Sequence, residues 1–232
     1  MEVEGGLIDL GRKRCVVAAF EGTDGSGKTS LLRRTARLLR SKGMTVVTYK
    51  TPSRTRTGAF AVSYGNRRGV APLTRMLLFL ANTVEDSAVM ERAARRRAAD
   101  FLLIDRYYLC SVVFGLAYVR YSGVRTGTTP SGLVRLVEEL GAGSLLRPDV
   151  YVIVDVEERE RLSRVSRGRR KGFLEDATGF QDLVREGYRE FASSSGAEAI
   201  WVENAPNSLE ANAEAIVARL LEVREALLRR GP

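Results

Sequence analysis

Cys15-Val16-Val17-Ala18-Ala19-Phe20-Glu21-Gly22-Thr23-Asp24-Gly25-Ser26-Gly27-Lys28-Thr29 decides how the rest of this 232-residue chain is read. Cys15 to Glu21 is a short apolar run, the pattern of a strand buried on both faces. Gly22 to Thr29 fits G-x-x-x-x-G-K-[ST] at every position. Lys28 to Lys42 then takes up helical spacing through Leu31, Leu32, Ala36, Leu38 and Leu39, and Gly43 supplies a stop. A P-loop needs this strand-loop-helix context. Glycines let backbone N–H groups converge on phosphate oxygens without Cβ clashes, and the helix N-terminus adds partial positive charge at the same place. Lys28 adds a full charge toward the β- and γ-phosphates, and the Thr29 hydroxyl suits Mg²⁺. The expected nucleoside triphosphate site is therefore Gly22, Thr23, Asp24, Gly25, Ser26, Gly27, Lys28, Thr29 and Ser30.

Outward from this run, strands and helices alternate. Met44–Tyr49, Phe101–Asp105, Val150–Val156 and Ala199–Glu203 read as further short buried strands. Helical patterns cover 72–98 (as one helix or two), 107–121, 131–144, 157–167, 178–194 and 208–229. Thr51–Val70, rich in Pro, Gly, Thr and Ser, reads as a loop region. Alternation of this kind gives an α/β domain whose five-stranded parallel sheet carries helices on both faces. Residues 1–14 read as an N-terminal extension and 15–232 as a single domain, with no internal repeat.

Composition narrows the chemistry. The chain has no histidine, which excludes a histidine base, a Ser-His triad and a His-ligated zinc site. Cys15 and Cys110 both sit in apolar runs and read as small buried hydrophobes rather than a redox pair. The net charge of +9 favours anionic partners, nucleotides and nucleic acids alike. Only five of the 37 basic residues are lysine, so 32 are arginine, the better bidentate holder of oxyanions. No run of about 18 apolar residues occurs and the acidic start does not resemble a leader, so a cytoplasmic protein without a membrane span is expected.

Two further places carry chemistry. Asp24 is a carboxylate inside a phosphate cradle that has no need of one. It either holds loop N–H groups or accepts from a hydroxyl of a second substrate. Asp105 ends a buried strand, at the sheet edge where ligands bind in such folds. There it suits Mg²⁺ or a water on it. Arg106 beside it can clamp a phosphoryl group as charge develops.

The stretch Phe20 to Thr29, Leu77-Leu78-Phe79-Leu80-Ala81-Asn82, Asp105-Arg106-Tyr107, Arg147-Pro148-Asp149 with the strand after it, and Phe180 to Phe191 occur in an order that resembles the thymidylate kinase family, from Val16 onward. The resemblance implies the three-layer P-loop NTPase fold with a short basic lid, here about 166–176. It implies transfer of the ATP γ-phosphoryl group to dTMP with Mg²⁺, and a homodimer. It also distributes roles: Phe79 stacks on the base, Arg106 and Arg54 hold the acceptor phosphate, and Asp24 meets the sugar hydroxyl or the acceptor arginine. Ser111 and Phe114 join the acceptor site. Lys28, Asp105 and lid arginines such as Arg169 and Arg170 serve the transfer itself, because Gly25 and Ser26 leave the loop without a basic residue of its own.

Three positions depart from the family pattern: Thr83 where arginine is frequent, Cys110 where serine is expected, and Gly115 where a polar residue often contacts the base. They leave phosphoryl transfer intact and base selectivity open, with dUMP or another monophosphate as the alternative acceptor. A P-loop ATPase that binds nucleic acid through Arg92 to Arg97 and the lid is the reading from another class. Those arginines read more simply as a solvated helix face.

Overall fold

The computed structural model describes residues 15–166 and 178–229. The expected extension at 1–14 and the expected lid from 167 onward, with Arg169 and Arg170, lie outside the described residues. The strands are β1 (Val16–Gly22), β2 (Val46–Lys50), β3 (Phe101–Asp105), β4 (Val150–Asp155) and β5 (Ala199–Glu203), in the order β2-β3-β1-β4-β5. Every neighbouring pair is parallel, so each strand ends at the same edge. The helices are α1 (Lys28–Ser41), α2 (Arg56–Gly65), α3 (Pro72–Arg96), α4 (Tyr108–Tyr121), α5 (Pro130–Leu140), α6 (Glu158–Ser166), α7 (Thr178–Ser194) and α8 (Leu209–Arg229).

Successive strand side chains point to opposite faces, and the core divides accordingly. Val16, Ala18 and Phe20 of β1, with Phe101 and Leu103 of β3, pack under α1 and α8 through Leu31, Leu39, Ile216 and Leu220. Val17 and Ala19, with Leu102 and Ile104, pack under α3, α4 and α7 through Met90, Val112, Val184 and Phe191. This alternation assigns faces at the functional edge as well. Glu21 follows Val17 and Ala19 toward α4 and α7, whereas Asp105 follows Phe101 and Leu103 toward α1, where Thr29 waits.

The expected α/β architecture holds, with one correction in the interval after β2. Thr51–Val70 is not all loop, because α2 runs through it. Thr55 caps that helix by accepting from Gly58 N–H, and Ala61 and Gly65 are buried against the rest of the fold. Of residues 72–98, Pro72–Arg96 form the single long helix α3. Its mid-helix polar residues find partners instead of breaking it. The buried Asn82 amide accepts from Ser53 N–H at 3.3 Å and donates to Thr55 Oγ1 at 3.2 Å. Thr83 Oγ1 donates back to the Leu80 carbonyl at 2.7 Å. Among the described residues no helix is long and apolar enough to cross a membrane.

Candidate active site

The loop expected to cradle phosphate follows β1 and leads into α1. Gly22, at φ +139°, lies so close to β4 that a Cβ there would overlap the Val154 carbonyl oxygen. Only glycine lets the chain leave the sheet at this point. The cradle is held from outside by Asn204 and Arg164, which donate to the Ser26 carbonyl at 2.7 and 3.2 Å. Lys28 is buried and donates to the Thr23 carbonyl at 2.8 Å. Burial, assisted by the nearby Arg106 charge, pulls its pKa down to about 8.

Thr29 Oγ1 donates to Asp105 Oδ2 at 2.6 Å, and Lys50 Nζ lies 2.9 Å from the same oxygen. Burial works to raise the Asp105 pKa, but the hydrogen bonds from Thr29 and Lys50 outweigh it and leave the group below its ordinary value. Asp105 Oδ1 is buried and has no hydrogen-bond partner. An ionised carboxylate with a spare oxygen beside a threonine hydroxyl fits a hard divalent cation that takes its other ligands from phosphates and water. Among the described residues no group of three or more His, Cys, Asp or Glu side chains could hold a metal ion.

Two cavities at this edge adjoin the loop. One, of about 420 Å³, is lined by Gly25, Gly27, Lys28, Thr29, Ser30, Lys50, Arg106 and Arg164. The other, of about 260 Å³, lies between the loop and the α2–α3–α4 layer. Its lining includes Asp24, Thr51, Arg75, Met76, Phe79, Thr83, Cys110, Ser111, Phe114 and Gly115. Arg106 lines both cavities. Its guanidinium pairs with the Asp24 carboxylate, lies 5.5 Å above the Phe114 ring and donates to Cys110 Sγ at 3.0 Å. Burial opposes ionisation of Asp24, yet the Arg106 and Lys28 charges hold its pKa below the ordinary carboxylate value.

Of the residues expected for the acceptor, Asp24, Phe79, Arg106, Ser111 and Phe114 converge on the smaller cavity. Arg54 does not join them: it is exposed and lines neither cavity. Cys110 also differs from expectation, because it is half-buried on the cavity wall rather than in the core, whereas Cys15 is fully buried. Asp24 turns from a carboxylate with two readings into the partner of Arg106. Arg95 to Arg97 are exposed, and Arg95 pairs with Glu91 at 2.9 Å, as a solvated helix face would.

The departing positions have physical reasons. A Cβ on Gly115 would stand 2.5, 2.6 and 2.7 Å from Met76 Sδ, Cγ and Cβ, so Met76 occupies the space that a side chain from α4 would need. Thr83 turns its hydroxyl to its own helix. Arg75 lies 5.4 Å above the Phe79 ring and lines the same cavity. Sequence reasoning missed Arg75, Met76 and Lys50. Lys50 could have been found, since it ends β2 in register with Asp105 at the edge where parallel strands present ligand-binding groups.

A family model described as thymidylate kinase matches residues 20–216. The chain is similar to the thymidylate kinase of Pelobacter propionicus, at 29% identity over 220 residues covering 88% of this chain and 93% of the relative. It is also similar to that of Desulforudis audaxviator, at 31% identity over 210 residues covering 88% and 90%. The thymidylate kinase of Nitratidesulfovibrio vulgaris shares 29% over 189 residues, covering 76% and 80%. With the phosphate cradle, the strand-end Asp105 and the shared Arg106 in this arrangement, and the family model spanning most of the sequence, the chain belongs to the thymidylate kinase family.

Proposed function

We propose that this protein transfers the γ-phosphoryl group of ATP to dTMP, giving ADP and dTDP. One observation carries the reading: Arg106 lines both the P-loop cavity and the smaller apolar cavity, so a single guanidinium faces donor and acceptor. Lys28 and the loop N–H groups hold the donor phosphates. Phe79 and Phe114 supply flat apolar surface for the acceptor base, and Asp24 orients the arginine that meets its phosphate. The acceptor phosphate is already anionic, so no strong base is required and the chain's task is alignment and charge neutralisation. Thr29 and Asp105 would hold Mg²⁺, which when bound neutralises charge on the donor phosphates.

Initial rates of ADP formation with dTMP, dUMP, dCMP, dGMP and AMP test the reading. The highest kcat/KM is expected with dTMP and a lower one with dUMP. Absence of turnover with both thymidine and uridine nucleotides would overturn it. Phe79→Ala is expected to raise the dTMP KM by about tenfold, the loss of one stacking surface, with the ATP KM within about twofold of wild type. An equal rise in both constants would contradict the role of Phe79. The homodimer rests on apolar surface of α2 and α3, where Phe60, Leu73 and Leu77 are 53%, 56% and 54% exposed. Analytical ultracentrifugation that returns only a monomer at micromolar concentration would reject it.

A further inference from the structure

The residue on which the proposed transfer turns has an unusual main chain. Arg106 stands in the left-handed region at φ +67°. Outside glycine that region is disfavoured, because Cβ crowds the following carbonyl oxygen, and such residues persist only where their surroundings fix them. Three hydrogen bonds fix this one. Arg106 N–H donates to the Phe20 carbonyl of β1 at 3.0 Å. The Arg106 carbonyl accepts from Thr51 Oγ1 at 2.8 Å. The next N–H, that of Tyr107, donates to Glu21 Oε1 at 2.9 Å. The first is a main-chain bond that any residue at position 20 would make. The other two come from side chains, so the sequence at 21 and 51 decides whether they exist.

Glu21 is the more telling of the two. It is fully buried and lines neither nucleotide cavity. Its other carboxyl oxygen, Oε2, is buried with no hydrogen-bond partner. Position 21 continues the apolar register of Val17 and Ala19 on the face covered by α4 and α7, where an aliphatic side chain would pack at less cost. A buried acid kept at such a position, with one oxygen spent on the N–H after Arg106, calls for an explanation beyond packing. Resting on the phosphotransfer reading, we propose that Glu21 is a positioning residue. By accepting the Tyr107 N–H it holds Arg106 in its left-handed conformation and keeps the guanidinium at the junction of the two cavities. Burial pushes the Glu21 pKa up to about 8 against the opposing charges of Arg106 and Lys28, so near neutrality it carries its proton. Glutamine, which keeps a carbonyl oxygen in the same place, is therefore a faithful substitute, whereas leucine keeps only the volume.

The experiment is a double-mutant cycle between positions 21 and 106, read by steady-state kinetics with dTMP and ATP and by thermal unfolding. Glu21→Leu is expected to lower kcat by roughly ten- to hundredfold, the cost of a displaced catalytic group, with the ATP KM little changed. Glu21→Gln is expected to stay within about threefold of wild type. In an Arg106→Ala background, Glu21→Leu is expected to cost nothing further, because its effect runs through a side chain already removed. Wild-type kcat in Glu21→Leu, or the same loss repeated in the Arg106→Ala background, would overturn the proposal. Should Glu21→Leu not fold, Glu21→Gln decides: wild-type kcat supports the role and a tenfold loss in a folded protein refutes it. A crystal structure of the Glu21 variant gives an answer that needs no turnover. A negative φ at residue 106 when position 21 is leucine supports the proposal, and an unchanged positive φ contradicts it. Absence of turnover in the wild-type protein would count against phosphotransfer alone, leaving this structural readout to judge Glu21.

Discussion

If Lys28 holds the donor phosphates as proposed, Lys28→Ala is expected to lower kcat/KM for ATP by on the order of 10³-fold, the scale for removing a charged group from a reacting centre. The side chain leaves a buried position and its hydrogen bond to the Thr23 carbonyl. Its ammonium group is poorly solvated there, as the pKa of about 8 records, so the fold gains little from its charge. The melting temperature should therefore move by only a few degrees while turnover collapses, a separation typical of a group held for function rather than stability. The sign of the pH dependence follows from the same shift. Lys28 is charged below about pH 8 in the nucleotide-free protein and loses its proton above it. ATP affinity should weaken as pH rises from 7 to 9, and Lys28→Ala should lack that decline. Calorimetric titration of ATP across this range reads both. Activity within tenfold of wild type in the folded variant would remove the P-loop from the mechanism.

Arg106→Ala is expected to reduce kcat by roughly 10²- to 10³-fold while the ATP KM changes by less than about threefold. The guanidinium faces both cavities, so its loss is felt where charge builds between the two substrates rather than where the adenine nucleotide is gripped. Asp24 would be left part-buried without its partner, and its pKa should rise from below the ordinary value as the Arg106 charge disappears. Arg106→Lys should recover part of the loss, since lysine restores the charge but cannot span Asp24, Cys110 and a phosphate with one planar group. Separate determination of kcat, both KM values and unfolding temperature distinguishes these effects. Equal losses in ATP binding and transfer would assign Arg106 a structural part only.

Much of this is legible in the sequence alone, and the reason lies in which forces are local. The β1–P-loop–α1 unit is written in consecutive residues, where buried-strand composition, glycines at tight positions and helical spacing agree. α2 was missed because Thr57, Gly58, Ser63 and Gly65 are weak helix formers; its cap at Thr55 and its packing against the rest of the fold override that preference. Asn82 and Thr83 are polar residues in the middle of α3, and their partners satisfy them there. The pairing of Asp24 with Arg106 spans 82 positions and depends on β1 and β3 lying side by side. No local pattern encodes it. Gly115 looked like the loss of a base contact, whereas the space it leaves is filled by Met76 from the facing helix. Arg54, given a phosphate by likeness of sequence, is exposed and lines neither cavity.

In the proposed reaction one arginine joins a donor and an acceptor site, so that a phosphoryl group passes between two nucleotides. The most direct measurement follows the label from [γ-³²P]ATP after mixing purified protein with Mg²⁺ and dTMP, resolving dTDP from inorganic phosphate. Label appearing in dTDP in one-to-one proportion with ADP, with little release to water, is the expected result. Label recovered as inorganic phosphate with none in dTDP would contradict it.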